Sequence, residues 1–124
     1  MKALKIIIST LVLALVFGGC AYNFIVPEPT VDPNDPNAAE VSFKAEILPI
    51  FTSKCVSCHT TGKQNPDLSA DNAYSSINSS QYINQTSPES SLIYTHPTGN
   101  HSAVYTDAEA AKVLLWINQG AQNN

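Results

Sequence analysis

The sequence contains no arginine, and its only methionine is Met1. Six lysines face ten acidic residues, a formal net charge of −4, and charged side chains make up 13% of the chain. No basic stripe exists to hold a phosphate backbone, which excludes a nucleic-acid partner. The methionine shortage is equally restrictive, because a processed chain that has lost Met1 offers no thioether to any metal. Stretches that alternate apolar and polar residues between hairpin turns are missing too, so sheet is not expected. The 124 residues leave room for one small domain.

What is present begins with an address. Lys2 and Lys5 open the chain, and Leu4 to Phe17 is apolar except for Lys5, Ser9 and Thr10. The run falls short of the ~20 apolar residues that a transmembrane helix takes. It fits the apolar centre of a secretory signal over residues 1–19. A buried core helix would not stand at the extreme N-terminus behind two lysines. Phe17-Gly18-Gly19-Cys20 resembles the lipobox of bacterial lipoproteins, with Phe17 departing from the usual leucine. The resemblance implies acylation of Cys20 and export on a lipid anchor to a bacterial membrane, facing the periplasm or the cell exterior. The alternative is ordinary cleavage that leaves Cys20 a free thiol, which is a liability in an oxidising compartment. Ala21 stands where an aspartate often retains lipoproteins in the inner membrane, which favours the outer membrane.

Residues 20–40 carry Pro27, Pro29, Pro33 and Pro36 together with Glu28, Asp32 and Asp35. Proline at that density opposes helix and sheet, and the segment reads as an extended tether. An irregular arm packed on the domain is the other reading, suggested by Tyr22, Phe24 and Ile25. Residues 41–124 then form the domain, and its ordered part, roughly 80 residues, is small enough to have a marginal core unless something else fills its centre.

The periodicity is helical. Phe43, Ile47 and Phe51, with Ile50 beside them, make one apolar face over about three turns, with Pro49 placed to shorten or kink it. Ala70 to Ile77 reads as a short helix capped by Asp67 or Ser69. Thr106-x-x-Glu109 is a capping box, followed by a face of Ala110, Val113, Leu114 and Ile117, flanked by Trp116 and closed by Gly120. An all-α domain of three to four short helices is expected.

Cys55-Val56-Ser57-Cys58-His59 is the attachment sequence of a c-type haem. Two thiols three residues apart on a helical turn reach the two vinyl groups on one porphyrin edge, and the following imidazole meets the iron as proximal ligand. His59 would bind through Nε2 while its other nitrogen donates to a backbone carbonyl. Three rivals remain open at this point. A thioredoxin-like dithiol also uses C-x-x-C but belongs to a βαβ pattern. Zinc could take Cys55, Cys58, His96 and His101, although the gap between the pairs is far from that of a zinc finger. A simple local disulfide is the third.

The flanks carry a family resemblance. Ile47-Leu48-Pro49-Ile50-Phe51, then Lys54 and the haem motif, resembles the opening of small class I cytochrome c domains of exported bacterial proteins. Pro66-Asp67-Leu68, Ala73-Tyr74, Ser91-Leu92-Ile93-Tyr94 and Trp116-Ile117-Asn118-Gln119-Gly120-Ala121 resemble their later segments, so the likeness covers residues 43–121. It implies a cytochrome c-like fold in which the terminal helices cross and one covalent haem c fills the core. That family commonly supplies a methionine as sixth ligand before the last helix, and this chain has none there. His101 is the expected replacement and His96 the alternative. Pro97 is expected to hold His96 extended, while Gly99 beside Asn100 allows a turn that presents His101.

With both axial positions filled, the expected function is electron transfer by a membrane-tethered monohaem cytochrome. The alternative is a haem-based sensor or ligand-binding module with an open or exchangeable sixth position. No general acid, nucleophile or carboxylate pair accompanies the motif, so no catalytic residues are assigned. Tyr74, Tyr82, Tyr94 and Tyr105 read as packing or rim groups. Loss of Lys2 and Lys5 with the signal leaves four lysines against ten acidic residues, which favours redox partners with a basic docking surface. The lipobox reading predicts that radiolabelled fatty acid is incorporated into the wild-type protein in bacterial cells and not into Cys20→Ala; equal labelling of both would contradict it.

Overall fold

The computed structural model describes residues 30–99, 101 and 105–124. The signal segment, Cys20 and residues 21–29 of the tether lie outside them. The described residues contain four α-helices, α1 (Leu48–Lys54), α2 (Ala73–Ile77), α3 (Leu92–Thr98) and α4 (Asp107–Asn118), and no strand. A π-helical turn, Phe43–Ile47, leads directly into α1, and a single 3₁₀ turn, Pro88–Ser90, leads into α3. The described part of the chain is all-α, as its periodicity implies.

The first helical run shows how Pro49 is accommodated. Proline cannot donate to the carbonyl four residues back, and its ring crowds that carbonyl. The turn before it is widened instead: the Leu48 N–H reaches the carbonyl of Phe43, five residues away. A wide turn of this kind relieves the clash without ending the helix. Phe43, Ile47, Ile50 and Phe51 are all buried, so the apolar face survives the change of pitch.

The start of this run is fastened by the other end of the chain. The Ser42 hydroxyl accepts from Ala45 N–H at 3.2 Å, and the Glu46 carboxylate accepts from Ser42 N–H at 2.9 Å. Phe43 N–H donates to Asn124 Oδ1 at 2.7 Å and Lys44 N–H to the Asn124 carbonyl at 3.0 Å. The N–H groups that a helix start leaves without partners are thereby satisfied.

At α4 the expected capping box is present: Thr106 Oγ1 accepts from Glu109 N–H at 3.2 Å, and Glu109 Oε2 accepts from Thr106 N–H at 2.6 Å. Gly120, at φ +95°, ends the helix in the left-handed conformation that suits glycine. The buried face differs from the expected one. Val113, Leu115, Trp116 and Ile117 are buried, whereas Leu114 is only partly so. The reason is that α4 is covered on two sides, by the π-helical turn and by α3 with its 3₁₀ turn. A helix sandwiched in this way buries more than a single stripe.

Phe43 and Trp116 join the two ends, with ring centroids 5.4 Å apart. Phe43 also meets Phe51 at 6.3 Å and, edge-on, Tyr74 at 5.2 Å. The polar ends of these rings are satisfied, Trp116 Nε1 donating to the Gln122 carbonyl and Tyr74 OH to that of Ala121, both at 3.0 Å.

The described part of the proline-rich segment is an arm packed on the domain rather than a free spacer. Val31 and Ala38 pack against the core. Asn118 Nδ2 donates to the Pro33 carbonyl at 2.8 Å, Gln119 Nε2 to that of Ala39 at 3.0 Å, and Val41 N–H to Gln119 Oε1 at 2.8 Å. Glutamine and asparagine at the end of α4 thus supply bonds that prolines and an irregular backbone cannot supply to each other. No described helix is long and apolar enough to cross a membrane.

Because Trp116 is 1% exposed at the contact between the chain ends, Trp116→Ala is expected to cost about 3–5 kcal/mol of unfolding free energy. Chemical denaturation measures it, and a loss below about 1 kcal/mol would contradict the packing described.

Candidate functional site

The C-x-x-C-H segment continues the turn in which α1 ends. Cys55 N–H donates to the Phe51 carbonyl at 2.8 Å, and the Cys55 carbonyl then accepts from Cys58 N–H at 3.2 Å and His59 N–H at 2.8 Å. One carbonyl therefore gathers both cysteines and the histidine on a single turn. Cys55 is buried and Cys58 exposed, and both are free thiols. Burial pushes the Cys55 thiol pKa up, Lys54 opposes that, and the Glu109 charge adds to it. The end of α1 is tied to the first turn of α4 by the ion pair between Lys54 and Glu109. Burial works against charge on Glu109, but hydrogen bonds from Lys54 and Thr106 hold its carboxyl below the usual range.

His59 is oriented from behind. Its Nδ1 lies 3.2 Å from the Pro66 carbonyl, an arrangement that makes Nδ1 the protonated donor and leaves Nε2 for a ligand. Leu68 N–H donates to the His59 carbonyl at 2.9 Å, closing the loop onto the same residue. Asp67, between Pro66 and Leu68, knots this loop. Its carboxylate accepts from Thr61 Oγ1 and Ser69 Oγ, both at 2.6 Å, from Asn72 Nδ2 at 2.9 Å and from Ser69 N–H at 3.0 Å. Hydrogen bonds, those from Ser69 and Thr61 foremost, bring its pKa down to about 2. Asp67 and Ser69 therefore do not cap a helix over 70–77; they build the turn before it, and α2 starts only at Ala73 with Asn72 at its N-cap.

His101 faces His59. The two imidazole centroids are 5.9 Å apart, with ring planes 35° from parallel. Both rings line a cavity of about 240 Å³, walled by Cys55, Leu68, Ile93 and Tyr105 among others. His96 lines it as well, from an exposed position on α3. Cys58 does not line it.

The backbone at His96 corrects the extended form expected from Pro97. His96 is helical, because α3 runs through Pro97 to Thr98. The carbonyl that Pro97 cannot reach, four residues back, is that of Ile93, and it accepts from the Tyr105 hydroxyl at 2.9 Å. Tyr105 N–H in turn donates to the Pro97 carbonyl at 3.2 Å. A buried tyrosine thus repairs the helix bond that proline removes. Burial raises the pKa of that hydroxyl well above the tyrosine range, with Cys55 and Glu109 adding to it, so it stays a donor. Tyr105 is a packing group, as read from the sequence, with this second task added.

Two rival site chemistries find little support in the geometry. Among the described residues no group of three His, Cys, Asp or Glu side chains is close enough to hold a metal ion, so Cys55, Cys58, His96 and His101 do not form a tetrahedral zinc set. The βαβ frame of a thioredoxin-like dithiol is also missing from the described residues. Sequence spacing alone could not identify Pro66, whose contribution is a backbone carbonyl. Gln81 and Tyr82, which also line the cavity, belong to no motif. Compared with known proteins, the chain matches no family model, no curated protein and no solved structure.

The Asp67 knot has a pH signature. A carboxyl whose pKa falls from 3.8 to about 2 on folding stabilises the fold fully above about pH 4. That contribution is lost as the pH falls through about 2. Urea midpoints measured between pH 5 and pH 2 should therefore converge for wild type and Asp67→Asn as acid is added. A constant gap across that range would contradict the assignment.

Proposed function

We propose that the chain is a monohaem c-type cytochrome of cytochrome c-like fold that transfers electrons. Cys55 and Cys58 form the thioether links, His59 is the proximal iron ligand and His101 the sixth. The observation that carries this reading is the pairing of His59 and His101 across one cavity whose wall includes Cys55. Two imidazoles bound on opposite sides of one metal, each through a bond of about 2 Å, have centroids about 6 Å apart. The observed 5.9 Å agrees with that. The donor set suits the group: one buried thiol in the wall, a second on the same turn, two nitrogens and apolar side chains around them.

The haem, when bound, supplies reversible one-electron chemistry. The protein supplies everything that tunes it. The Pro66 carbonyl fixes the His59 ring and raises its basicity. A second imidazole in place of a thioether favours the oxidised state, so the potential lies below that of a His/Met site in the same fold. Leu68, Ile93 and Tyr105 keep water from the centre. With His59 and His101 both holding the iron, no position would remain for a substrate, which favours electron transfer over sensing.

The localisation belongs to the same proposal. Cys20 carries the lipid, residues 20–40 lead from the membrane to the domain, and partners bring a basic surface to an acidic protein. The arm from Val31 onward packs against the domain.

Two spectroscopic variants test the axial ligands once the protein is produced with a haem-attachment system. His101→Ala should turn the ferric spectrum high-spin, and His96→Ala should leave it low-spin. The reverse pattern would assign the sixth position to His96, and a high-spin wild type would favour the sensor. A haem stain that survives a denaturing gel for wild type, and is lost for Cys55→Ala with Cys58→Ala, tests the covalent link.

A further inference from the structure

His101 comes from the stretch between α3 and α4, and one residue ties the two ends of that stretch together. Tyr105 stands immediately before the Thr106 cap of α4 and is 9% exposed. Its N–H donates to the Pro97 carbonyl at 3.2 Å and its hydroxyl to the Ile93 carbonyl at 2.9 Å. Ile93 and Pro97 are both buried on α3, about one helical turn apart. The two bonds therefore hold Tyr105 along the last turns of α3 rather than at a single point. They also set how far apart the ends of the span lie, and His101 sits between Pro97 and Tyr105 in the chain.

Tyr105 is itself anchored at the α4 end. Thr106 caps α4 through its box with Glu109, and Glu109 pairs with Lys54, the neighbour of Cys55. A continuous set of contacts thus runs from α3 through Tyr105 and Glu109 to the turn that carries Cys55 and His59. The Tyr105 side chain lines the same cavity as His59 and His101. Repair of the helix at Pro97 accounts for the hydroxyl bond alone. The backbone bond lies outside that repair, and the two together form a clasp across the base of the His101 span.

We infer that Tyr105 is a positioning residue for the sixth iron ligand: its clasp holds His101 opposite His59 and keeps the iron closed to small ligands. The inference rests on the haem reading above and deepens it, because it names what separates a closed electron carrier from an open gas-binding site in this chain. Ends held at a fixed separation restrict a span, so less conformational freedom is lost when a residue within it is placed. Removing one bond of the clasp shifts the balance between His101 bound and His101 away, by about tenfold for a buried hydrogen bond of ordinary strength. Cyanide reaches ferric iron only while the sixth ligand is away, so its binding rate reads that balance.

The test is the rate at which the ferric full-length holoprotein binds cyanide, followed optically. Tyr105→Phe keeps the ring, removes the hydroxyl and should bind cyanide about tenfold faster than wild type. Tyr74→Phe removes a tyrosine bond of the same kind, to the Ala121 carbonyl at 3.0 Å and outside the cavity, and should leave the rate unchanged. Pro97→Ala gives the Ile93 carbonyl back a helical N–H donor. Combined with Tyr105→Phe it should recover stability in urea while binding stays faster than in Pro97→Ala alone; equal rates in those two would mean that Tyr105 only repairs the helix, and would overturn the clasp. Should Tyr105→Phe not fold alone, this pair carries the same test. Each variant is repeated with His96→Ala, so that His96 cannot take the position that His101 leaves. Equal rates with and without Tyr105→Phe in that background, or an equal acceleration by Tyr74→Phe, would overturn the clasp and leave the cytochrome reading intact. A high-spin His96→Ala protein would overturn the His101 assignment beneath it, and a wild-type protein without covalent haem would overturn both readings.

Discussion

The contact between the two ends of the chain is the constraint on which the rest depends. Phe43 from the first helical turn and Trp116 from the last helix meet ring to ring, and Phe51, Tyr74 and Ile117 close around them. A domain this short cannot build a second core beside that one. Everything on the other side of α1 and α4 is therefore organised around a cavity instead. The Lys54–Glu109 pair ties the cysteine-bearing end of α1 to the start of α4, and Tyr105, immediately before α4, clasps α3. Cys55, His59 and Tyr105 reach the same space because these two ties hold the helix ends together.

Both helix-interrupting prolines are accommodated locally. Pro97 strands the Ile93 carbonyl, and Tyr105 takes it. Pro49 removes a helix donor, and the preceding turn widens. The loop below His59 has little regular structure, so Asp67 gathers four donors to hold it, and that loop carries the carbonyl that orients His59. Rigidity behind an imidazole suits an electron carrier, since a ligand that keeps its place in both oxidation states adds little reorganisation.

Features that depend on a few neighbouring residues are legible in the sequence. The Thr106–Glu109 capping box, the Gly120 stop, the all-α class and the grouping of Cys55, Cys58 and His59 on one turn are of this kind. Features set by what packs from elsewhere are not. Leu115 is buried in preference to Leu114 because α4 is covered on two sides, which no single-helix pattern reveals. His96 is helical despite Pro97 because a tyrosine well beyond it in the chain repairs the break. The arm over residues 30–40 is docked because Asn118 and Gln119, at the opposite end of the chain, reach it. The facing of His101 to His59 could be proposed from a missing methionine, but its distance could not be read from sequence.

The account turns on a six-coordinate covalent haem between those two rings. The most direct measurement is the absorption spectrum of the reduced full-length protein, purified after expression with a haem-attachment system, before and after addition of carbon monoxide. The account predicts sharp low-spin bands that carbon monoxide leaves unchanged. A rapid shift on adding the gas, or a protein recovered folded with no haem bands at all, would contradict it.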